Sequence, residues 1–393
     1  MVEMSETLTV MPEYSYLIRL IRAAIRQETP EELPDELSFE TVYRYAMEHD
    51  VANLAFYAVE RLQKKPEAEL YAKWSRRRDL ALVRDMHQEF AYDEIVSELK
   101  TQGIPYKELQ GTVLKKLYPR TEYRTMSDID FIVEKKNLPQ CGAILEKLGY
   151  RCSKQDDFEI DGFRSPDIYV ELHTDYFTED IEYCGVMGAP CFREPLSDIA
   201  VATELYAYNV LHIAKHYFAS GCGIRRILDM YYLDLNYGDR VDHGQLQNLF
   251  EKAGVSTFVP VLTSLAREWF GDGTIATEAE TMRKYIFDSG LQGKRENFIS
   301  GSLYRVQQGE TITIGTKLKY VFSRLFPGDK VMLKHFPVLE RYRILYPVFW
   351  IYRLLRMILG RNRKASVLDF KLVLRAKRDH RGTIYSEQSE ELK

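Results

Sequence analysis

Cysteine is scarce in this chain of 393 residues: there are five, at positions 141, 152, 184, 191 and 222, and no two form a Cys-x-x-Cys pair. An odd number without that spacing disfavours both a disulfide framework and a zinc ribbon. The reducing cytoplasm is therefore the expected compartment. Long apolar runs are missing as well. The longest uncharged stretch of the C-terminal third, Ile344 to Tyr352, is followed directly by Arg353 and Arg356. A spanning helix needs about 20 apolar residues, so no transmembrane segment is expected. The first ten residues carry Glu3 and Glu6 and no basic stretch ahead of an apolar run, which does not read as a signal peptide. No repeat of fixed period is present.

What is present is the balance of a globular protein, 45% hydrophobic and 28% charged residues. The length fits two or three domains. The net charge of −4 is unevenly spread. Residues 316–382 hold 17 Lys/Arg against four Asp/Glu, a net +13 that leaves −17 for the rest. Such a split marks either a surface for phosphate, nucleic acid or anionic lipid, or a solvated helical face.

Residues 1–100 read as helical. Tyr14, Leu17, Leu20, Ile21 and Ile25 keep helical spacing, a proline-rich acidic loop covers 29–37, and Ser38 opens a further helix. No Gly or Pro interrupts 67–100, which reads as one or two helices. The period changes over 101–196. Strands are expected near 104–109, 128–133, 150–153, 158–163 and 168–173, with Asp161–Gly162 and Ser165–Pro166 as turn signals. Gly111 and a short helix follow the first strand, and Asn137 with Pro139 can open another. Helices return over 197–385, and 386–393 form a polar tail. The expected fold is α+β: a small mixed sheet with flanking helices, set between an N-terminal helical region and a C-terminal helical domain.

The chemistry concentrates on two strands. Asp128 and Asp130 share one strand face while Ile129, Phe131 and Val133 take the other. In the strand 168–173, Ile168, Val170 and Leu172 face the core, and Tyr169, Glu171 and His173 face away. If the strands are neighbours, three carboxylates converge within reach of one or two Mg²⁺ ions, which favour hard oxygen ligands. Gly111–Thr112, between a strand and a helix, offers backbone N–H groups and a hydroxyl to a phosphate. A phosphate cradle beside a carboxylate pair is what metal-dependent phosphoryl or nucleotidyl transfer requires.

With Leu109-Gln110-Gly111-Thr112, the run Arg124-Thr125-Met126-Ser127-Asp128-Ile129-Asp130 and Tyr169-Val170-Glu171-Leu172-His173, the chain resembles the DNA polymerase β-type nucleotidyltransferase superfamily. More narrowly it resembles a bacterial branch that also carries a His-x-x-x-His helix and a later aspartate, here His212, His216 and Asp229. The resemblance implies metal ligation by Asp128, Asp130 and Glu171, with Glu171 as ligand or base. It implies a nucleoside triphosphate held at Gly111, Thr112, Arg124, Ser127 and Lys215, with Mn²⁺ able to substitute for Mg²⁺. The acceptor would be a small molecule, a sugar or a protein side chain, nucleic acid being disfavoured by the acidic catalytic half. Two positions depart from the branch. Thr112 stands where serine is usual and keeps the hydroxyl. Gln110 stands where lysine is usual, and Lys107, Lys115 or Lys215 would have to supply the missing cation.

Other readings stay open. His212 and His216 share a helix face, but Ile213 stands where a zinc protease has glutamate, so packing histidines compete with a ligand role. Asp229 reads equally as a salt-bridged residue. Residues 342–359 interleave aromatics with arginines, as a membrane-surface helix does, although Pro347 favours a bent, packed element. A binding protein that lacks turnover, or a membrane-surface scaffold using the basic region, are the alternatives to an enzyme.

Overall fold

A computed structural model describes residues 12–154, 158–177, 185–192, 198–290, 314–326, 332, 336 and 338–359. The polar tail 386–393 and the expected helices beyond 359 lie outside the described residues. Two compact units are present. One comprises 1–215 and 223–291, the other 216–222 and 292–393.

The first unit opens with α1 (Pro12–Arg26), α2 (Phe39–Glu48), α3 (Ala52–Val59) and α4 (Ala68–Thr101). The uninterrupted stretch is thus a single helix of 34 residues. Ser38 precedes α2 without capping it; its hydroxyl donates to Glu40 Oε2 at 2.8 Å. The strands are β1 (Tyr106–Glu108), β2 (Ile129–Val133), β3 (Arg151–Lys154), β4 (Glu159–Arg164) and β5 (Ile168–His173), in the order β1-β2-β5-β4-β3. Only β2 and β5 are parallel; the other neighbours are antiparallel. A mixed sheet among helices is the expected α+β class.

The alternation along β2 and β5 decides how the sheet sits. Ile129, Phe131, Val133, Ile168, Val170 and Leu172 enter one apolar core with Ala91, Ile95 and Leu99 of α4 and Leu138, Ile144 and Leu145 of α6 (Leu138–Lys147). Each such side chain contributes about 1.5–3 kcal/mol by leaving water, so a one-residue slip of either strand is strongly disfavoured. This core fixes which face carries the polar residues. Two local expectations are corrected. Asp161–Gly162 lies inside β4 rather than in a turn. A Cβ at Gly162 would meet Leu145 Cδ1 at 3.1 Å, so this glycine admits α6 onto the sheet. Pro139 opens α6 as expected, but the Asn137 side chain makes no capping bond.

Beyond the sheet run α7 (Ile199–Ala219), α8 (Ile224–Tyr237), α9 (His243–Lys252), α10 (Phe258–Phe270) and α11 (Glu280–Ser289). In the second unit, α12 (Ile314–Leu325), α13 (Val338–Arg341) and α14 (Tyr346–Leu359) follow. Pro347 occupies the first turn of α14, where no backbone hydrogen bond is lost, so it starts this helix instead of bending it. Trp350 and Phe349 pack edge-on or tilted against Phe326 and Phe336, while Ile344, Val348 and Ile351 remain exposed. Among the described residues, no helix is long and apolar enough to cross a membrane.

Candidate functional site

In the parallel pair β2–β5, Asp130 lies beside Glu171 and Ile132 beside His173. Asp128 stands one residue ahead of β2. On the other side of β5, Asp161 opposes Glu171 and Glu159 opposes His173. Five carboxylates and one imidazole therefore gather on the sheet face turned from the α4–α6 core. His173 is at their centre. Its Nε2 is 3.7 Å from Asp130 Oδ1 and 3.5 Å from Glu171 Oε2, and its Nδ1 is 3.7 Å from Glu159 Oε1. Ligand atoms of Asp130, Glu171 and His173 all lie within 4.8 Å of one another. Two hard carboxylate oxygens and one imidazole nitrogen at that separation fit a divalent cation. Asp128 is not in this triplet, but its carboxyl feels the charges of the other two carboxylates. Glu159 and Asp161 escaped the sequence reading. Their signal was the same two-residue spacing as in β2 and β5, hidden because Asp161–Gly162 looks like a turn.

The electrostatics follow from crowding. Burial, then the charges of Asp130 and Glu171, push the Asp128 carboxyl up to about 6. Burial alone would lower His173; the close contacts with Asp130 and Glu171 and the charges of Asp130 and Glu159 outweigh it and raise the imidazole to about 10. An unfolded Asp titrates near 3.9 and an unfolded His near 6.5. Both groups thus hold their protons more tightly in the folded state. Their contribution to stability is present at low pH and lost as pH rises, through about 6 for Asp128 and about 10 for His173. Thermal melts in EDTA should therefore show stability falling as pH rises from 4 to 6, by on the order of 1–2 kcal/mol from Asp128. Asp128→Asn should remove that part of the slope; an unchanged slope would contradict the crowding account.

The loop that delivers Asp128 and Asp130 is fastened by distant helices. Asn53 of α3 donates to the Glu122 carbonyl at 2.8 Å, and Tyr57 donates to the Glu122 carboxylate at 2.9 Å. Gln88 of α4 donates to the Met126 carbonyl at 3.1 Å, and Thr121 donates to Asp85 at 2.6 Å. Arg225 of α8 donates to the Thr125 carbonyl at 2.9 Å and to Asp50 at 2.5 Å. Satisfied polar contacts from three helices hold one rigid approach to β2.

The phosphate-side residues fall into place unevenly. α5 (Gln110–Leu114) begins one residue before Gly111, with Gln110 at φ 39° and its amide donating to the Tyr208 hydroxyl at 2.9 Å. A Cβ at Gly111 would meet Arg124 Nη1 at 2.8 Å and Met126 at 3.0 Å. The glycine therefore lets the turn lie on Arg124. That arginine is buried, its Nε and Nη2 bound to Asp229 Oδ1 and Oδ2 at 2.7 and 3.0 Å. Arg124 is thereby anchored to α8 beneath the Gly111 turn. Asp229 is salt-bridged, and Tyr118 donates to it at 2.7 Å. Thr112 is buried and its hydroxyl has no hydrogen-bond partner among the described residues. Ser127 is exposed and donates to Asp128 Oδ2 at 2.9 Å.

Of the lysines considered as substitutes at position 110, Lys115 is buried against Asp85 and Glu89 at 3.0 and 3.1 Å, and Lys107 is paired with Glu204. Lys215 is half-buried on α7, its ammonium 6.0 Å from the Phe177 ring centroid. Arg226 of α8, not singled out in the sequence, is close enough for its charge to act on both Tyr208, which burial raises all the same, and Asp229, whose lowering it adds to. His212 is buried, its ring 5.9 Å from that of Tyr208. Among the described residues, no metal-capable cluster includes His212 or His216.

A family described as "uncharacterised nucleotidyltransferase" matches residues 35–271, more than half of the chain. The chain belongs to this nucleotidyltransferase family. The matched span runs from the loop before α2 to the end of α10, so the helices that fasten the Asp128–Asp130 loop belong to the nucleotidyltransferase domain together with the sheet. Membership makes the chain a transferase with a role in nucleotidyl transfer. No curated protein and no solved structure matches it.

Proposed function

We propose that the protein is a metal-dependent nucleotidyltransferase of the polymerase β type, moving a nucleoside monophosphate from a triphosphate to an acceptor hydroxyl. The observation that carries this reading is the in-register pairing of Asp130 with Glu171 on neighbouring parallel strands, with Asp128 at the entry to the same face. Asp128, Asp130 and Glu171 would hold one or two Mg²⁺ ions. Bound there, Mg²⁺ supplies neutralisation of the charge on the triphosphate and on the departing pyrophosphate.

The chain's own residues set the rest. The Gly111–Thr112 turn, seated on Arg124, presents the first N–H groups of α5 to the triphosphate. Lys215 and Arg226 add positive charge from α7 and α8. As the acceptor oxygen bonds to the α-phosphorus, the bond from that phosphorus to the bridging oxygen breaks and pyrophosphate leaves. The acceptor's proton passes to a carboxylate of the cluster, for which Glu171, 37% exposed at its side chain, is best placed. The helices that flank the sheet within the first unit would shape the pocket for a small-molecule, sugar or protein acceptor.

Calorimetric titration with ATP, GTP, CTP and UTP, each with Mg²⁺ and then Mn²⁺, tests this on the wild type and on Asp128→Asn/Asp130→Asn. One triphosphate should bind only with metal present, and its binding should vanish in the double variant. Absence of binding by all four with either metal would sink the reading.

A further inference from the structure

The two ring nitrogens of His173 face different partners. On one side, Nε2 is 3.5 Å from Glu171 Oε2 and 3.7 Å from Asp130 Oδ1. On the other, Nδ1 is 3.7 Å from Glu159 Oε1, because the antiparallel β4–β5 pair sets Glu159 opposite His173. The Nε2 separations are longer than ordinary hydrogen bonds. They come close to the spacing of donors that share one ion. Two ligands about 2.1 Å from a metal stand about 3.0 Å apart at right angles and about 3.4 Å apart at the tetrahedral angle. The donor atoms of Asp130, Glu171 and His173 thus border one small space. A metal-binding imidazole commonly directs its second nitrogen at a carboxylate, which fixes the ring and raises its basicity. Glu159 takes that place here.

The donor set decides which ion this space suits. Mg²⁺ takes hard oxygen ligands and gives up its waters reluctantly. Imidazole suits first-row transition ions, whose affinity for mixed nitrogen and oxygen sites rises from Mn²⁺ through Fe²⁺ to Co²⁺. Carboxylates alone would leave Mg²⁺ the natural occupant; a nitrogen donor among them shifts the balance away from it. Asp130 is buried and His173 largely so, whereas Glu171 is partly exposed. An ion held there is walled by the sheet and open on the Glu171 side to waters or phosphate oxygens. A ligating imidazole is neutral, so the ion would stand in for the proton that the neighbouring carboxylates hold on the ring. We infer that His173 is a metal ligand through Nε2, positioned by Glu159, and that this site takes a divalent first-row transition-metal ion in preference to Mg²⁺, an inference that rests on the metal-dependent reading of this cluster.

Mn²⁺ is the probe, added to the metal-free full chain without nucleotide. Calorimetry should give a dissociation constant for Mn²⁺ at least about tenfold below that for Mg²⁺. Pulsed electron paramagnetic resonance of the Mn²⁺-loaded wild type should show coupling to a directly bound imidazole nitrogen. His173→Gln, which offers a carbonyl oxygen in place of that nitrogen, should lose the coupling and narrow the preference for Mn²⁺ by about tenfold. Its affinity for Mg²⁺ should change little. Glu159→Gln should keep the coupling while weakening Mn²⁺ binding by about tenfold or more, as loss of a carboxylate behind a ligating imidazole does. Failure of the wild type to bind Mn²⁺, Mn²⁺ bound without nitrogen coupling, or coupling that survives in His173→Gln would each overturn the assignment. The wild-type spectrum decides even if a variant does not fold. Nitrogen coupling in a chain that binds no triphosphate would keep His173 as a ligand and remove the nucleotidyl reading. A triphosphate that binds with Mg²⁺ to a chain showing no such coupling would keep that reading and remove His173 from the ligands.

Discussion

Asp130→Asn should lower nucleotidyl transfer by at least about 10³-fold, a loss of about 4 kcal/mol in transition-state stabilisation, while leaving the fold intact. The side chain is nearly isosteric, so the apolar face of β2 is untouched and Ile129, Phe131 and Val133 keep their places in the core. What changes is charge. Asp130 lies beside Glu171 in the sheet, with His173 Nε2 at 3.7 Å. An amide presents one neutral oxygen, a poor ligand for a hard divalent cation, and the remaining carboxylates then hold it with less charge and one fewer anchor. Stability should move little, because removing one member of a repelling group offsets the lost attraction to His173. Pyrophosphate release would be measured alongside urea unfolding. Retained turnover with a normal fold would remove Asp130 from the mechanism. Retained triphosphate binding together with no turnover in the wild type would favour a binding protein on the same scaffold.

The parts of this site that could be read from the sequence are those governed by period. Alternation along 128–133 and 168–173 assigned the carboxylates to one face and the apolar residues to the other, and the sheet follows it. Period says nothing about which side chain touches a residue seventy positions away. Asn53, Asp85, Gln88 and Arg225 therefore gave no sign that they fasten residues 121–126. Lys115 shows the same limit in reverse. It sits five residues after Gln110, where a phosphate contact was plausible, but the short helix turns it into α4 and onto Asp85. Glu159 and Asp161 were lost to a local signal. Asp-Gly is a strong turn pair in isolation, and only the packing of Leu145 against Gly162 shows why glycine is required in the middle of a strand.

The same reasoning explains why Gly111 and Arg124 are best treated as one device. A glycine before a phosphate-binding turn is usually read as room for the ligand. Here the nearest atoms to its missing Cβ belong to Arg124 and Met126. The turn's position thus depends on a buried guanidinium, and that guanidinium depends in turn on Asp229 of α8. Burial alone would raise the Asp229 carboxyl; Arg124 outweighs it and holds the carboxyl below its ordinary value, with Arg226 and Arg225 adding to the effect.

Asp229→Ala should consequently be strongly destabilising, by about 3–5 kcal/mol. Arg124 and Asp229 are 3% and 1% exposed, so neither can turn to water when its partner is lost. Truncating Asp229 would leave two guanidinium N–H groups and the Tyr118 hydroxyl unpaired in the interior. Asp229→Asn should cost less, since the amide oxygen can still accept one of those bonds. Arg124→Met combined with Asp229→Leu should recover much of the stability of Asp229→Ala, because a buried ion pair is replaceable by apolar side chains of similar volume. It should not recover activity. The flexible thioether of that variant would no longer support the Gly111 turn as the planar guanidinium does, and the triphosphate would lose its cradle. Urea unfolding and triphosphate calorimetry on the three variants separate the two effects. If the double variant were both stable and fully active, the Arg124–Asp229 pair would be a packing feature only, and the turn at Gly111 would owe its position to the fastened loop alone.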